Sequence, residues 1–205
     1  MLRRGGLSNA GLRYRRVMNV APQAVVAIRT GGVVGVPTDT LYGLAVDPFR
    51  EEALETLFRL KGRPEDKPVA LLVASVEQAM SLAEFTDDAI DLADSYWPGG
   101  LTLILARLPD TPDWLGHASR RTIGVRCPDH PLALQLLESV GPLAVTSANL
   151  AGGEVAANDV EARAIFGESV NYYIAGEAPG GAASTIVDLT EPTPLVLRRG
   201  PVPYP

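Results

Sequence analysis

The sequence predicts a single α/β domain built on a twisted, mixed sheet of parallel and antiparallel strands that is flanked by helices. Helical and strand segments alternate in the first part of the chain, whereas strand segments cluster towards its end, and this order favours a mixed sheet over a uniformly parallel one. The chain has 205 residues, enough to bury one core, and contains neither an internal repeat nor a long linker.

Proline and glycine mark the first helix and the first strand. A helix is predicted at residues 22–29, since Pro22 suits a first helical turn and a glycine pair at 31–32 ends it. The apolar run at 33–36 predicts a buried strand that ends at Pro37. The chain is therefore expected to enter the sheet directly after its first helix.

A second helix is predicted at residues 51–61. Its apolar residues recur at helical spacing, acidic residues occupy its first turn, and Gly62 follows its last residue. The same patterns of apolar residues and breakers predict a strand at 69–73, helices at 75–84 and 87–95, strands at 101–106 and 122–126, a helix at 131–140, a strand at 143–145, a helix at 158–166, and strands at 170–174, 184–189 and 194–198.

The composition excludes several classes of protein and site. No apolar run approaches the ~18 residues of a membrane span, so we expect no membrane contact and a cytoplasmic location. One cysteine, Cys127, excludes a disulfide framework and a cysteine zinc site. We expect Cys127 to be a buried, unreactive residue and the two histidines, His117 and His130, to be surface or capping residues. No protein metal site is predicted.

The charge is distributed unevenly along the chain. The formal net charge is −6, yet residues 1–16 carry five arginines and no acid. The rest therefore has 13 basic against 24 acidic side chains, a net charge of −11. We expect residues 1–17 to form a disordered basic arm in front of a domain at 18–205, with Met18 as an alternative start. An acidic body is unfavourable for a module whose main task is to bind phosphates.

Two polar segments follow predicted elements in the first third of the chain. Thr38, Asp39 and Thr40 come directly after a buried strand, where open α/β sheets often bind ligands. An ordinary turn in which these groups bind backbone amides is the alternative. Lys61 and Arg63 flank a helix end and suit a polyphosphate, although they could also complement the helix dipole and pair with neighbouring acids.

Two further polar segments follow later strands. Alternation places Thr122 and Arg126 on one face of their strand, and an arginine there needs an anion, either a ligand carboxylate or a structural acid. The last group of candidates combines hydroxyl, amide and guanidinium side chains: Ser147, Asn149, Ser184 and Arg198. No Gly-x-Ser-x-Gly surrounds Ser147, so a hydrolase nucleophile is not expected.

These segments together resemble the YrdC-like family of threonylcarbamoyl-AMP synthases. They occur in the family's order and cover roughly residues 20–200: PTDTLYGL (37–44), KGRPEDKP (61–68), YWPGGLTLIL (96–105), TIGVRCPDHP (122–131), TSANLAG (146–152), STIVDL (184–189) and LRRG (197–200).

The resemblance implies a large concave cavity and a nucleotidyltransferase, L-threonylcarbamoyladenylate synthase. Such an enzyme condenses L-threonine, bicarbonate or CO2, and ATP into threonylcarbamoyl-AMP and pyrophosphate. Other proteins then transfer the group to adenosine in tRNA. The chain resembles the short form of the family, without an extra C-terminal domain.

The resemblance also implies roles for individual residues. Lys61 and Arg63 would be catalytic through the polyphosphate, and Mg2+ would arrive with ATP rather than occupy a protein site. The residues implied to bind threonine are Thr38, Arg126, Ser147 and Ser184. Those implied to bind the nucleotide are Lys61, Arg63, Thr122, Asn149 and Arg198.

Two other functions remain open from the sequence. The first is a YrdC-like paralogue with different carbamoyl or acyl-adenylate chemistry, or one that breaks the adenylate down. The second is a non-catalytic module that binds double-stranded RNA or tRNA, which the basic arm favours and the acidic body disfavours.

Overall fold

The computed structural model describes residues 20–62, 68–179 and 181–204, and the predicted arm at 1–17 lies outside them. The helices are α1 (Pro22–Arg29), α2 (Glu51–Lys61), α3 (Val76–Met80), α4 (Asp87–Tyr96), α5 (Pro131–Val140) and α6 (Asp159–Phe166). The strands are β1 (Val34–Val36), β2 (Gly43–Val46), β3 (Ala70–Leu72), β4 (Leu101–Ala106), β5 (Thr122–Arg126), β6 (Leu143–Ser147), β7 (Tyr172–Tyr173), β8 (Thr185–Asp188) and β9 (Leu195–Arg198).

The strands in the described part of the chain form one mixed sheet in the order β7-β1-β2-β6-β3-β5-β4-β8-β9. The pairs β1–β7, β3–β5 and β4–β8 are parallel, and the other neighbours are antiparallel. The predicted mixed α/β sheet is confirmed. None of the described helices is long and apolar enough to cross a bilayer.

Alternation along the strands divides the sheet into two unlike faces. Leu101, Leu103 and Leu105 of β4 are buried in the larger core cluster, together with side chains from α2, α4 and α6. On the opposite face α1 and α5 form a second cluster, in which Ile28 and Leu136 join side chains of β1, β3 and β6. Each face therefore has its own core.

The face that carries α1 and α5 is not covered over its whole width. Thr102 of β4, Gly124 of β5 and Ile186 of β8 point to this side and line cavities rather than a packed core. Their sequence neighbours point to the other side, into the larger cluster. The uncovered part of the sheet is thus available for a ligand.

Most predicted elements have the bounds that the sequence indicates, including α1, α2, β4, β5 and α5. Helix α2 ends as expected, because Gly62 adopts a left-handed conformation with φ 57°. The predicted helix at 75–84 is too long. It ends at Met80 because the following residues turn towards β4, where Ala83 bridges Arg107.

The largest correction concerns β2, a strand that the sequence analysis missed. Residues Gly43–Val46 directly follow a polar turn, and the sequence pattern therefore assigns them to a loop. This strand also explains why β6 extends beyond the predicted 143–145: Thr146 and Ser147 pair with Leu44 and Gly43. The polar end of β6 is therefore held in the sheet by a strand with no clear sequence pattern of its own.

Candidate active site

An open pocket of about 300 Å³ lies on the uncovered part of the sheet. Its walls come from the turn after β1 and from β3, β4, β5, β6, β8 and β9. The sequence-predicted residues that it brings together are Thr38, Arg126, Ser147, Ser184 and Arg198. Side chains separated by up to 160 positions in the sequence thus share one cavity.

Arg126 is fixed on the floor of this pocket by three acceptors. Its Nε donates to the carbonyl of Gly99 (2.9 Å), Nη1 donates to Thr40 Oγ1 (2.8 Å), and Nη2 pairs with Asp39 Oδ1 (2.5 Å). Burial lowers the pKa of Arg126, and the adjacent Asp39 carboxylate opposes that shift. The structural acid that the sequence analysis left as an alternative is thus present, and it balances the charge of an oriented guanidinium.

Arg198 lies across the same pocket and is held differently. Its Nε donates to the carbonyl of Ser184 (2.8 Å) and its Nη2 to Ser184 Oγ (3.0 Å). No carboxylate within residues 20–62, 68–179 and 181–204 forms an ion pair with it. Partial burial lowers the pKa of Arg198, but an arginine keeps its proton. Among the described residues that line the pocket, Arg198 therefore carries a positive charge that no ion pair balances, and this charge favours an anion.

Thr38 organises the turn between β1 and β2. Its Oγ1 donates to the carbonyl of Leu41 (2.7 Å) and accepts from the amides of Thr40 and Leu41 (3.2 Å each). The self-contained turn considered for this segment is thus present, although Thr38 also lines the pocket. This turn holds Asp39 and Thr40 in place, the two residues that orient Arg126.

Lys61 is a buried lysine at the end of α2 that reaches towards the end of β6. Its Nζ donates to the carbonyl of Ser147 and to Asn149 Oδ1 (2.9 Å), and Ser147 Oγ donates to the same amide oxygen (2.6 Å). Lys61 therefore approaches the pocket through Ser147, which lines it. Arg63 lies outside the described residues.

Thr122 lies in a second cavity of about 200 Å³ that adjoins the first. The two share a wall formed by Pro68, Val69, Ala70, Thr102 and Ile186. The second cavity is largely apolar, with Arg120 at its edge in an ion pair with Asp188 (3.0 Å). Two adjoining cavities, one with a mixed polar and apolar lining and one largely apolar, can hold the two halves of a composite ligand.

The structure adds Asp39, Thr40 and Thr102 to the predicted site residues. From the sequence, Asp39 and Thr40 are parts of a polar turn, and their contact with Arg126 depends on tertiary folding. Thr102 could have been found from its pattern, because it is a polar residue within an apolar strand, LTLILA. It lines both cavities, and its Oγ1 lies 2.7 Å from Ser184 Oγ.

The cysteine and the histidines differ in their surroundings. Cys127 is buried as predicted, and burial raises its pKa to about 11. His130 is the N-cap residue of α5 but makes no capping hydrogen bond with its side chain. Half-buried His117 lines the apolar cavity, where Ser119 Oγ lies 3.3 Å from its Nδ1.

Comparison with known proteins identifies the family. The family model Sua5_yciO_yrdC, described as telomere recombination, matches residues 26–200. The chain belongs to the Sua5/YciO/YrdC family. The resemblance stated from the sequence motifs is thereby confirmed, and the cavities described above lie within the matched region.

Curated members of the Sua5/YciO/YrdC family include close relatives of this chain. A putative threonylcarbamoyl-AMP synthase of Mycobacterium tuberculosis is 43% identical over 181 residues, which cover 87% of this chain and 83% of the relative. The threonylcarbamoyl-AMP synthase of Pyrococcus abyssi is 39% identical over 180 residues. That match covers 86% of this chain but 52% of the relative, so the chain spans about half the length of the Pyrococcus protein.

Solved structures of the family have the same fold. P. abyssi Sua5 complexed with L-threonine matches with a TM-score of 0.83 and 38% identity, over 88% of this chain and 54% of that one. E. coli YciO matches with a TM-score of 0.81 and 32% identity, over 87% of this chain and 88% of that one. The fold prediction is confirmed by both.

Proposed function

We propose that the protein is a threonylcarbamoyl-AMP synthase that acts in tRNA modification. It condenses L-threonine, bicarbonate or CO2, and ATP into threonylcarbamoyl-AMP and pyrophosphate. The observation that carries the proposal is the cavity in which Arg126 and Arg198 meet the hydroxyls of Thr38, Ser147 and Ser184. The relatives support it, since a putative threonylcarbamoyl-AMP synthase of Mycobacterium leprae is 44% identical and the threonylcarbamoyl-AMP synthase of Marinobacter nauticus is 37% identical to the chain.

The reaction requires positioning more than covalent catalysis. The amine of threonine forms a bond to the carbon of CO2 and loses a proton, which gives a carbamate. A carbamate oxygen then attacks the α-phosphorus of ATP, the bond to the bridging oxygen breaks, and pyrophosphate leaves. No enzyme nucleophile takes part in these steps. Orientation of the reactants side by side can supply on the order of 7–11 kcal/mol, and fixed cations stabilise the charge that develops during transfer.

The two cavities suggest where the substrates bind. Arg126, with its guanidinium already oriented, binds the threonine carboxylate, and Thr38, Ser147 and Ser184 provide hydroxyls around the amino acid. The nucleotide extends into the apolar cavity beside Thr122.

The remaining residues proposed to contact the nucleotide carry cationic or amide side chains. Arg198, Lys61, Asn149 and Arg63 bind the polyphosphate side of ATP, and Lys61 and Arg63 are the residues that promote transfer. Mg2+ enters with ATP, whose phosphates it bridges. The support is electrostatic, because Arg198 brings a charge that no described acid balances.

The product, threonylcarbamoyl-AMP, is a substrate for other proteins. We propose that separate tRNA threonylcarbamoyl-transfer proteins consume it in the cytoplasm. A direct contact with tRNA or double-stranded RNA through the basic arm would be accessory to this reaction, because the remainder of the chain carries a net charge of −11.

Mass spectrometry of the product tests the proposal. The purified protein is incubated with ATP, Mg2+, L-threonine and bicarbonate, and each substrate is omitted in turn. We expect threonylcarbamoyl-AMP and pyrophosphate only when all are present. Valine replaces threonine as a matched control, since a site that binds a substrate hydroxyl can reject its absence by about 10⁴-fold. A different adenylate would indicate the paralogue, and RNA binding without turnover would indicate the non-catalytic module.

A further inference from the structure

Three side chains on neighbouring strands form a continuous hydrogen-bonded row along the pocket. Thr102 belongs to β4, Ser184 directly precedes β8, and Arg198 ends β9. The register brings them together, because β8 pairs with β4 on one side and with β9 on the other. All three side chains line the pocket.

One hydrogen-bond direction in this row follows from the chemistry of the groups. A guanidinium can only donate, so Ser184 Oγ accepts the bond from Arg198 Nη2 (3.0 Å). Thr102 Oγ1 lies 2.7 Å from the same Ser184 oxygen. Thr102 is buried, with 3% of its surface exposed. This is the one hydrogen bond that the Thr102 hydroxyl makes within the described part of the chain. A buried hydroxyl hydrogen needs an acceptor, and the Thr102 and Ser184 oxygens can each provide one for the other.

Either hydroxyl can donate in this contact, and in one of the two arrangements Thr102 donates to Ser184. Ser184 Oγ then accepts two hydrogen bonds, one from Thr102 and one from Arg198, and both of its lone pairs are used. Its own hydrogen is left for a group in the pocket. We infer that Thr102 is a positioning residue that fixes Ser184 as a hydrogen-bond donor to an acceptor oxygen of the amino-acid substrate. This inference rests on the proposed function, which places threonine in this pocket.

Threonine binding without turnover tests the inference. Thr102→Val removes the hydroxyl at nearly constant shape, whereas Thr102→Ser keeps it and is the matched control. Calorimetric titration of L-threonine in the absence of ATP should show binding about three- to tenfold weaker in Thr102→Val and near wild type in Thr102→Ser. The KM for threonine should rise with little change in kcat, and the melting temperatures of the variants serve to separate this effect from loss of stability.

A double variant shows whether Thr102 acts through Ser184. Thr102→Val should add almost nothing to the effect of Ser184→Ala, because the hydroxyl that it orients is already gone. Additive effects, or wild-type threonine affinity in Thr102→Val, would overturn the inference alone, provided that the wild-type protein makes threonylcarbamoyl-AMP. A wild-type protein that binds no L-threonine and makes no adenylate would overturn the proposed function and this inference with it.

Discussion

The two arginines of the pocket have the same charge but different electrostatic surroundings. Arg126 is held by a carbonyl, a hydroxyl and the Asp39 carboxylate, so its orientation is fixed and its charge is balanced. Within the described part of the chain, Arg198 is held by Ser184 and has no carboxylate in an ion pair with it. Arg126 is therefore suited to recognise the planar shape of a carboxylate, whereas Arg198 is suited to attract an anion.

Removal of the Arg198 charge should lower the catalytic efficiency with ATP and have a smaller effect on the stability of the fold. We expect Arg198→Ala to lower kcat/KM for ATP by about ten- to a hundredfold, the loss of a charge-assisted contact. Arg199→Ala is the matched control, because Arg199 is the exposed neighbour whose Nη1 donates to the carbonyl of Tyr204 (3.2 Å). Equal rates of pyrophosphate release for both variants would remove Arg198 from the nucleotide site.

Cys127 should be unreactive in the folded protein. Burial raises the pKa of its thiol to about 11, so at pH 8 about one molecule in a thousand carries the thiolate that reacts with disulfide reagents. We expect labelling about a hundredfold or more slower than for a free thiol, with a rate that increases as the pH rises towards 11. Full labelling in guanidinium is the control, and rapid labelling of the native protein would contradict this placement.

At the scale of single elements, the end of α2 shows how a local signal positions distant chemistry. Gly62 stops the helix directly after Lys61, so that the lysine can turn to the end of β6 and bind the carbonyl of Ser147. The sequence predicts this stop, but not its consequence. Lys61 contacts β6 because Gly43–Val46 holds that strand at full length, and this pairing has no local signature.

Gly62→Ala should destabilise the protein through backbone strain alone. Gly62 has φ 57°, and among the described residues other than its chain neighbours and its own helix no atom lies within 4 Å of the position that a Cβ would occupy, so we expect no packing contribution. We expect a loss of about 1 kcal/mol in the free energy of unfolding, measured by urea denaturation. Gly62→Asn should lose less, because asparagine tolerates the left-handed region. Equal stability of the glycine and alanine forms would contradict a left-handed helix end.

At the scale of the whole molecule, the basic N-terminal segment and the rest of the chain have opposite net charges. The five arginines of residues 1–16 precede a chain with a net charge of −11, whose pocket nevertheless carries an unbalanced cation. Long-range repulsion by the acidic body disfavours polyanions in general, so binding of ATP depends on short-range contacts within the cavity.

Deletion of residues 1–17 should separate RNA binding from catalysis. We expect any affinity for tRNA to fall with added salt in the full chain and to be lost in the truncated one, since the arginines of the arm would neutralise phosphates. Synthesis of threonylcarbamoyl-AMP should persist in both. Salt-dependent RNA binding that survives the deletion would place the RNA contact on the domain.

The sequence by itself determined the mixed α/β architecture, most helix and strand bounds, and the residue types that line the pocket. Periodicity and breakers act within a few residues, which is why α2, β5 and α5 have the predicted bounds. Tertiary structure alone decided that Asp39 balances Arg126, that Lys61 reaches Ser147, and that Thr102 meets Ser184. These contacts join residues between 82 and 87 positions apart, and their geometry depends on strand order and register, which local patterns do not encode.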